Sequence, residues 1–455
     1  MAATTGDGIR KIYDDVSLEN PRVAVQIDFP RMESAMRKRR EKTTPNNPKN
    51  FSECIEFLLS APVYNKYLQK SIWEEGEGAL IFATPKGLSM ANSEESKVAM
   101  TDATFQCCPR KENTGIYQML IFHIIRHNSA IPIMHVPMSC KTESLYTKVM
   151  EWLRAECPLL QPENMSVDFE LAILNTAEEV FQVIPTGCDF HYNQAIYRKF
   201  GKLGLKPILT QNANFGKWAY QIMALNHLPS DQIEPTFREL CSQEFPLGDT
   251  NKSLKSKFQK YWEKFWLNTI GVERLSVYKA PLRTNNCCES YHARLAKTIG
   301  IRPNFWVFIR QINRLLEIND INMERLVAET PISRRPKKPN ENEIRIQKLV
   351  QRLETGQPVP ITPLDFVRAM AHHQTSKFKF NEDASSESDS EEEPEAAEEE
   401  QAAEEQPVNR TECQICLMRP LTAVLFPCGH TACLECGERL KRDKLNCHMC
   451  RAIIQ

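Results

Sequence analysis

Eight cysteines and histidines near the C-terminus leave few folds open to that part of the chain. They run Cys413-x2-Cys416, eleven residues, Cys428-x-His430-x2-Cys433-x2-Cys436, ten residues, then Cys447-x2-Cys450. A CxxC pair lets two thiolates from one turn reach the same ion, and eight soft ligands suffice for two closed tetrahedral Zn²⁺ sites. A segment this short cannot bury enough apolar surface to fold alone. Metal binding, at roughly 10 to 16 kcal/mol per structural zinc, is its expected main stabilisation.

The remaining cysteines of the 16 in the chain lie singly or as adjacent pairs. That distribution suits a reducing compartment with one metal-binding tail, not a secreted disulfide framework. The first twenty residues, "MAATTGDGIRKIYDDVSLEN", contain no apolar leader, so secretion is not expected. The most apolar stretch, "YQMLIFHIIRHNSAIPIMHVPM", is interrupted by His123, Arg126, His127 and His135. It reads as paired core strands and not as a membrane span.

Charge is distributed unevenly. Residues 382–405 hold 13 acidic side chains and no Lys or Arg, which leaves a net of +12 for the rest of a chain whose total is -1. A basic body with an acidic belt is compatible with a nucleic-acid partner. Residues 1–50 read as a basic flexible arm whose cluster at 37–40 has the composition of a nuclear import signal or a phosphate-contacting patch, although a plain solvated segment has it too. A nuclear or nucleocytoplasmic location is expected.

From Phe51 the pattern becomes globular. Two helix-like segments lead to short apolar runs, "ALIFATPKGLSM", "SKVAMTDATFQCCP", "GIYQMLIFHIIRH" and "AIPIMHVPMS", which read as strands. Strand-to-helix alternation then begins near Asp168 and repeats at "QVIPTGCDFHYNQ". An α/β core with a sheet of mixed direction is expected over 51–330, with a helical insertion at about 215–275 whose aromatics belong to its core. A helical tail at 331–380, an acidic disordered linker at 381–408 and the zinc-binding segment 409–455 complete the chain.

The order of three cysteines, one histidine and four cysteines, with "PCGH" and "CHMCR", resembles a RING finger. The resemblance implies a cross-brace: Cys413, Cys416, Cys433 and Cys436 on one ion, Cys428, His430, Cys447 and Cys450 on the other. It also implies that Ile415 packs on a ubiquitin-conjugating enzyme and that Arg451 contacts ubiquitin. His448 departs from the proline usual in the conjugating-enzyme groove.

Three acids stand out in the body. Asp102 interrupts an apolar strand, which costs solvation unless the carboxylate faces a site. Asp168 ends a strand, where a helix N-cap is the competing reading. Glu289 lies near the start of a helix, where a surface acid is also favoured by the helix dipole. Together "MTDATFQCCP", "SVDFELAI", "GCDFHYNQAIYRKF", "RTNNCCESYHARL" and "IRPNFWVFIRQI" resemble, in order, the motifs of MULE (Mutator-like element) transposases. What this implies is an RNase H-like core in which Asp102, Asp168 and Glu289 hold two Mg²⁺ or Mn²⁺ ions for phosphodiester cleavage and strand transfer on DNA. Hard oxygen donors suit such ions. The alternative is a host-recruited RING ubiquitin ligase whose inactive body binds DNA, chromatin or a protein substrate.

Cys188 and His191 match the Cys-x2-His feature of the same family. As zinc ligands they lack two partners, which Cys287, Cys288 or His292 could supply only through a tertiary contact.

Overall fold

Seven strands form one mixed sheet: β1 (Leu68–Glu74), β2 (Glu77–Ala83), β3 (Val98–Thr104), β4 (Gln118–Arg126), β5 (Ser129–Met138), β6 (Asn164–Val167) and β7 (Thr186–Gly187), in the order β1-β2-β5-β4-β3-β6-β7. The structure, a computed structural model, describes residues 9–377 apart from 44, 128, 244, 249–251, 282, 284–285, 329–340 and 358, together with 423–424 and 431–432. The chain divides into two compact units, Met1–Lys379 and Phe380–Gln455.

Neighbouring strands from β1 to β3 are antiparallel, whereas β3-β6 and β6-β7 are parallel. The long apolar stretch makes β4 and β5, which pair along their whole length around a register shift at Phe122/His123. Residues Met119 to Ile124 of β4 are all buried, as expected of a strand covered on both faces.

The switch to parallel pairing needs a crossover, supplied by helix Glu143–Glu156. Its Leu145, Val149 and Leu153 recur every four residues and are buried as one stripe. Thr142 caps its start by accepting from the Leu145 N–H at 3.4 Å. Helix Leu171–Phe181 packs beside it and returns the chain to β7.

Helices Ala213–Met223, Ser230–Ser242 and Lys252–Trp262 form the insertion, and the last runs on as a π-helix, Glu263–Ile270. Its aromatics are core: Trp262 and Trp266 are fully buried, and Trp262 stacks on Phe237 with centroids 3.8 Å apart. Helix Asn286–Ile299 packs on β3, and helix Phe305–Val327 lies against β2 and β5. Of the helices expected over 331–380, Pro363–Lys377 closes onto the insertion through buried Phe366, Val367 and Met370.

Three expectations need correction. In "ALIFATPKGLSM" the strand ends at Ala83 and Pro85–Ala91 is a helix, with Pro85 in its first turn and Thr84 Oγ1 accepting from the Gly87 N–H. Only the first of the two helix-like segments after Phe51 is a helix, Phe51–Leu59; the second is strand β1, whose largely exposed edge position hides the alternation that would identify it. Where a flexible arm is expected, helices Ile9–Glu19, Pro21–Ala24 and Phe29–Thr43 form. Ile9 and Ile12 are buried and Tyr13 meets Phe29 edge-on at 5.4 Å, a small amphipathic contact that the polar composition conceals.

No described helix is long and apolar enough to cross a membrane. In the second unit, Ala423–Val424 pairs antiparallel with Thr431–Ala432, on either side of Cys428 and His430 in sequence. Cys413, Ile415, Cys416, Cys428, His430, Cys433, Cys436, Cys447, Cys450, Arg451 and the acidic segment 381–408 lie outside the described residues.

Candidate metal centre

Register brings the first two acids together. In the parallel pair β3-β6, Met100 is matched with Ser166, so Asp102 and Asp168, each two residues further on, sit side by side at the C-terminal ends of adjacent strands. Asp102 is 5% exposed, whereas Asp168, just beyond β6, is about a third exposed. Asp168 is not a helix cap, because the next helix begins at Leu171 with Glu170 in the cap position.

One strand further, Val167 pairs with Gly187. A side chain at Gly187 would run into the Phe169 ring, 2.0 Å from where its Cβ would stand, so this close packing requires glycine. Cys188 then occupies the N-cap of helix Asp189–Lys202 and His191 its first turn. Three residues apart on a helix, the two face the same side. His191 Nδ1 lies 2.7 Å from Asp168 Oδ1, and the buried Cys188 thiol is within hydrogen-bonding reach of the same imidazole.

The third side of the site is helix Asn286–Ile299. His292 Nδ1 is 3.8 Å from Asp102 Oδ2, Cys288 Sγ is 3.6 Å from His123 Nδ1, and Cys287 Sγ is 3.2 Å from Met100 Sδ. Glu289 is on this helix, one turn before His292; its side chain lies outside the described residues.

Burial, and then the Asp168 charge with which it shares a hydrogen bond, holds Asp102 well above the usual carboxylate range. Burial also disfavours ionised Asp168, but the charge and hydrogen bond of His191 outweigh it and bring Asp168 below its ordinary value. Burial likewise opposes the His191 cation, and the Asp168 carboxylate overcomes it, so His191 is held well above the ordinary histidine value. His292, largely buried, is pushed down to about 4 by that burial and by the His191 cation, against the opposing pull of the Asp168 carboxylate.

Asp102 and Asp168, side by side, are hard oxygen donors, the donor chemistry of Mg²⁺ or Mn²⁺. Among the described residues no group of three His, Cys, Asp or Glu side chains is drawn up to hold a metal ion. The tetrahedral Cys/His zinc site that Cys188 and His191 could begin is therefore not assembled among them.

A second polar cluster escaped sequence reasoning. Asp189, next to Cys188, is 3% exposed, and its Oδ1 accepts from Asn193 Nδ2 at 2.9 Å and Asn226 Nδ2 at 3.0 Å, with His227 Nε2 at 3.3 Å. It ties the first turn of the His191 helix to the insertion. As a lone acid at a helix start, it looks in sequence like any dipole-favoured residue.

Residues 409–455 match the family of the zinc finger, C3HC4 type (RING finger). No curated protein matches the chain. Residues 409–455 are thus a RING finger, with the zinc binding that such a domain entails.

Proposed function

We propose that the body of the chain derives from a transposase and cleaves and transfers DNA strands at a two-metal centre held by Asp102, Asp168 and Glu289. The carrying observation is the placement of Asp102 on β3 and Asp168 just past the end of the parallel neighbour β6, each two residues beyond the matched pair Met100 and Ser166, with the Glu289 helix packed on the strand of the first acid. The strand order β5-β4-β3-β6-β7, three antiparallel then two parallel, supports an RNase H-like core, and the helical insertion before Glu289 supports the MULE resemblance.

A bound pair of divalent ions would activate the attacking oxygen and stabilise the leaving one. His191 orients Asp168 through its 2.7 Å contact, and Cys188 fixes His191 in turn. DNA is the partner, and the nucleus the location, that this reading calls for. Purified protein incubated with Mn²⁺ and terminal-inverted-repeat DNA should nick it. No nicking, or equal nicking by Asp168→Asn, sinks the reading.

The RING finger favours a second activity in the same chain. RING domains commonly bind ubiquitin-conjugating enzymes, so a ubiquitin ligase using two zinc ions, Ile415 and Arg451 is the alternative, with the body serving as a DNA-, chromatin- or substrate-binding module. Autoubiquitination across a panel of conjugating enzymes should be lost in Cys428→Ser and weakened in Ile415→Ala. Absence of chains from the wild type leaves a zinc-dependent interaction module.

A further inference from the structure

Two of the histidines that interrupt the apolar β4-β5 stretch are deeply buried, and neither belongs to the metal centre. On β4, His123 is opposite Met100; on β5, His135 is opposite Ile121, which is itself opposite Asp102. Directly opposed residues share a face of the sheet, so Asp102, Ile121 and His135 form one cross-strand row. Helix Asn286–Ile299 lies over this row and touches both of its ends with consecutive residues. His292 approaches Asp102 at 3.8 Å, and the Tyr291 hydroxyl is 2.7 Å from His135 Nε2.

Tyr291 is also held from elsewhere. Its hydroxyl accepts from Asn319 Nδ2, at 3.3 Å, on helix Phe305–Val327, and its ring meets His123 edge-on with centroids 5.4 Å apart. His123, His135 and Asn319 are each no more than 2% exposed. Burying so many polar groups in a sheet core costs stability that leucine or phenylalanine would not. Apolar contacts alone, from Cys288, Leu295 and Ile299, would seat the helix but leave its roll poorly fixed, since hydrophobic packing is not directional. The two hydrogen bonds at the Tyr291 hydroxyl are directional. Rolling the helix by one residue would turn it about 100° and carry His292 off the Asp102 end of the row.

We propose that Tyr291, gripped by His135 and Asn319, is a positioning residue that sets the roll of helix Asn286–Ile299, the helix that carries Glu289, and so holds His292 beside Asp102. The inference rests on the two-metal reading of the centre. It assigns the buried histidines of β4 and β5 a role in holding that helix, without contact to metal or substrate.

The test is Mn²⁺ affinity of the full, zinc-loaded chain by electron paramagnetic resonance, with Asp168→Asn subtracted as background. Tyr291→Phe, which removes one hydroxyl, and His135→Leu should each weaken binding about tenfold, the low end for groups that support metal ligands. His135→Gln, which keeps a side-chain group able to hydrogen-bond the hydroxyl in either direction, should restore most of it. Tyr291→Phe leaves His135 and Asn319 without the hydroxyl, so its melting temperature should fall, but one cooperative transition well above the temperature of the Mn²⁺ titration should remain, which separates lost positioning from lost fold. Should Tyr291→Phe not fold, the contrast between His135→Leu and His135→Gln decides. Wild-type affinity in the variants overturns this inference alone. A wild type that binds no more Mn²⁺ than Asp168→Asn overturns the metal reading, and the inference with it.

Discussion

His191 Nδ1 stands 2.7 Å from Asp168 Oδ1, with both side chains about a third exposed. The pair joins the first turn of one helix to the end of β6, and its charges are linked to stability. Protonated His191, raised above its ordinary value against the cost of burial, contributes stability that is fully present below about pH 6.5 and is lost as pH rises through the raised value. Asp102, also raised, acts in the same sense, because its ionisation in the fold costs more than in the unfolded chain. Asp168, lowered, acts oppositely: its contribution is present above about pH 3.9 and disappears as pH falls through the lowered value. Without added divalent ions, the melting temperature of the body should therefore fall as pH is raised from 6.5 into the alkaline range. His191→Gln should flatten that fall; an unchanged slope contradicts the assignment.

Asp189 should matter more to stability than any surface ion pair. Asp189→Ala takes the carboxylate acceptor from Asn226 Nδ2 and from one N–H of Asn193, which keeps only its bond to the Asp189 carbonyl, and each unsatisfied buried donor costs about 1–3 kcal/mol. Urea unfolding should show a loss of about 3 kcal/mol or more. Arg238→Ala, which breaks an exposed pair with Glu234 one turn away, should change stability by less than about 0.5 kcal/mol.

Gly187→Ala tests the packing beneath Asp168. The added methyl would displace Phe169, whose ring meets Trp266 edge-on with centroids 4.9 Å apart. Overpacking of this kind costs about 1–3 kcal/mol. Near-ultraviolet circular dichroism should report the disturbed Trp266, and a variant as stable as wild type with an unchanged spectrum would show that the contact is loose.

Zinc content separates the two units. The full chain should hold about two zinc ions by mass spectrometry, matching the eight tail ligands. A zinc-selective chelator should unfold residues 409–455, because metal binding supplies most of a small zinc domain's stability. The cooperative unfolding of the sheet-containing unit should be unaffected. Loss of that transition on chelation would mean that zinc also holds the body.

Much of this organisation is legible in the chain because it is periodic or local. The strands β2 to β6 are short apolar runs between turn formers, and Asp102 stands out as an acid inside one of them. The tail ligands are legible because zinc geometry fixes their spacing. Edge strand β1 and the N-terminal helices were obscured by polar side chains, since little of either is buried. The clusters at Asp189 and Tyr291 are not readable at all. Their partners lie 37 residues away, at Asn226, and 156 residues away, at His135, and a lone buried His or Asp carries no local signature of the contact it makes.

The most direct measurement is anomalous scattering from crystals of the full chain grown with Mn²⁺. Anomalous density at the manganese edge should appear between the Asp102 and Asp168 carboxylates and vanish in Asp168→Asn. Manganese elsewhere on the surface, with none between these two residues, would contradict the proposal that they form a metal centre.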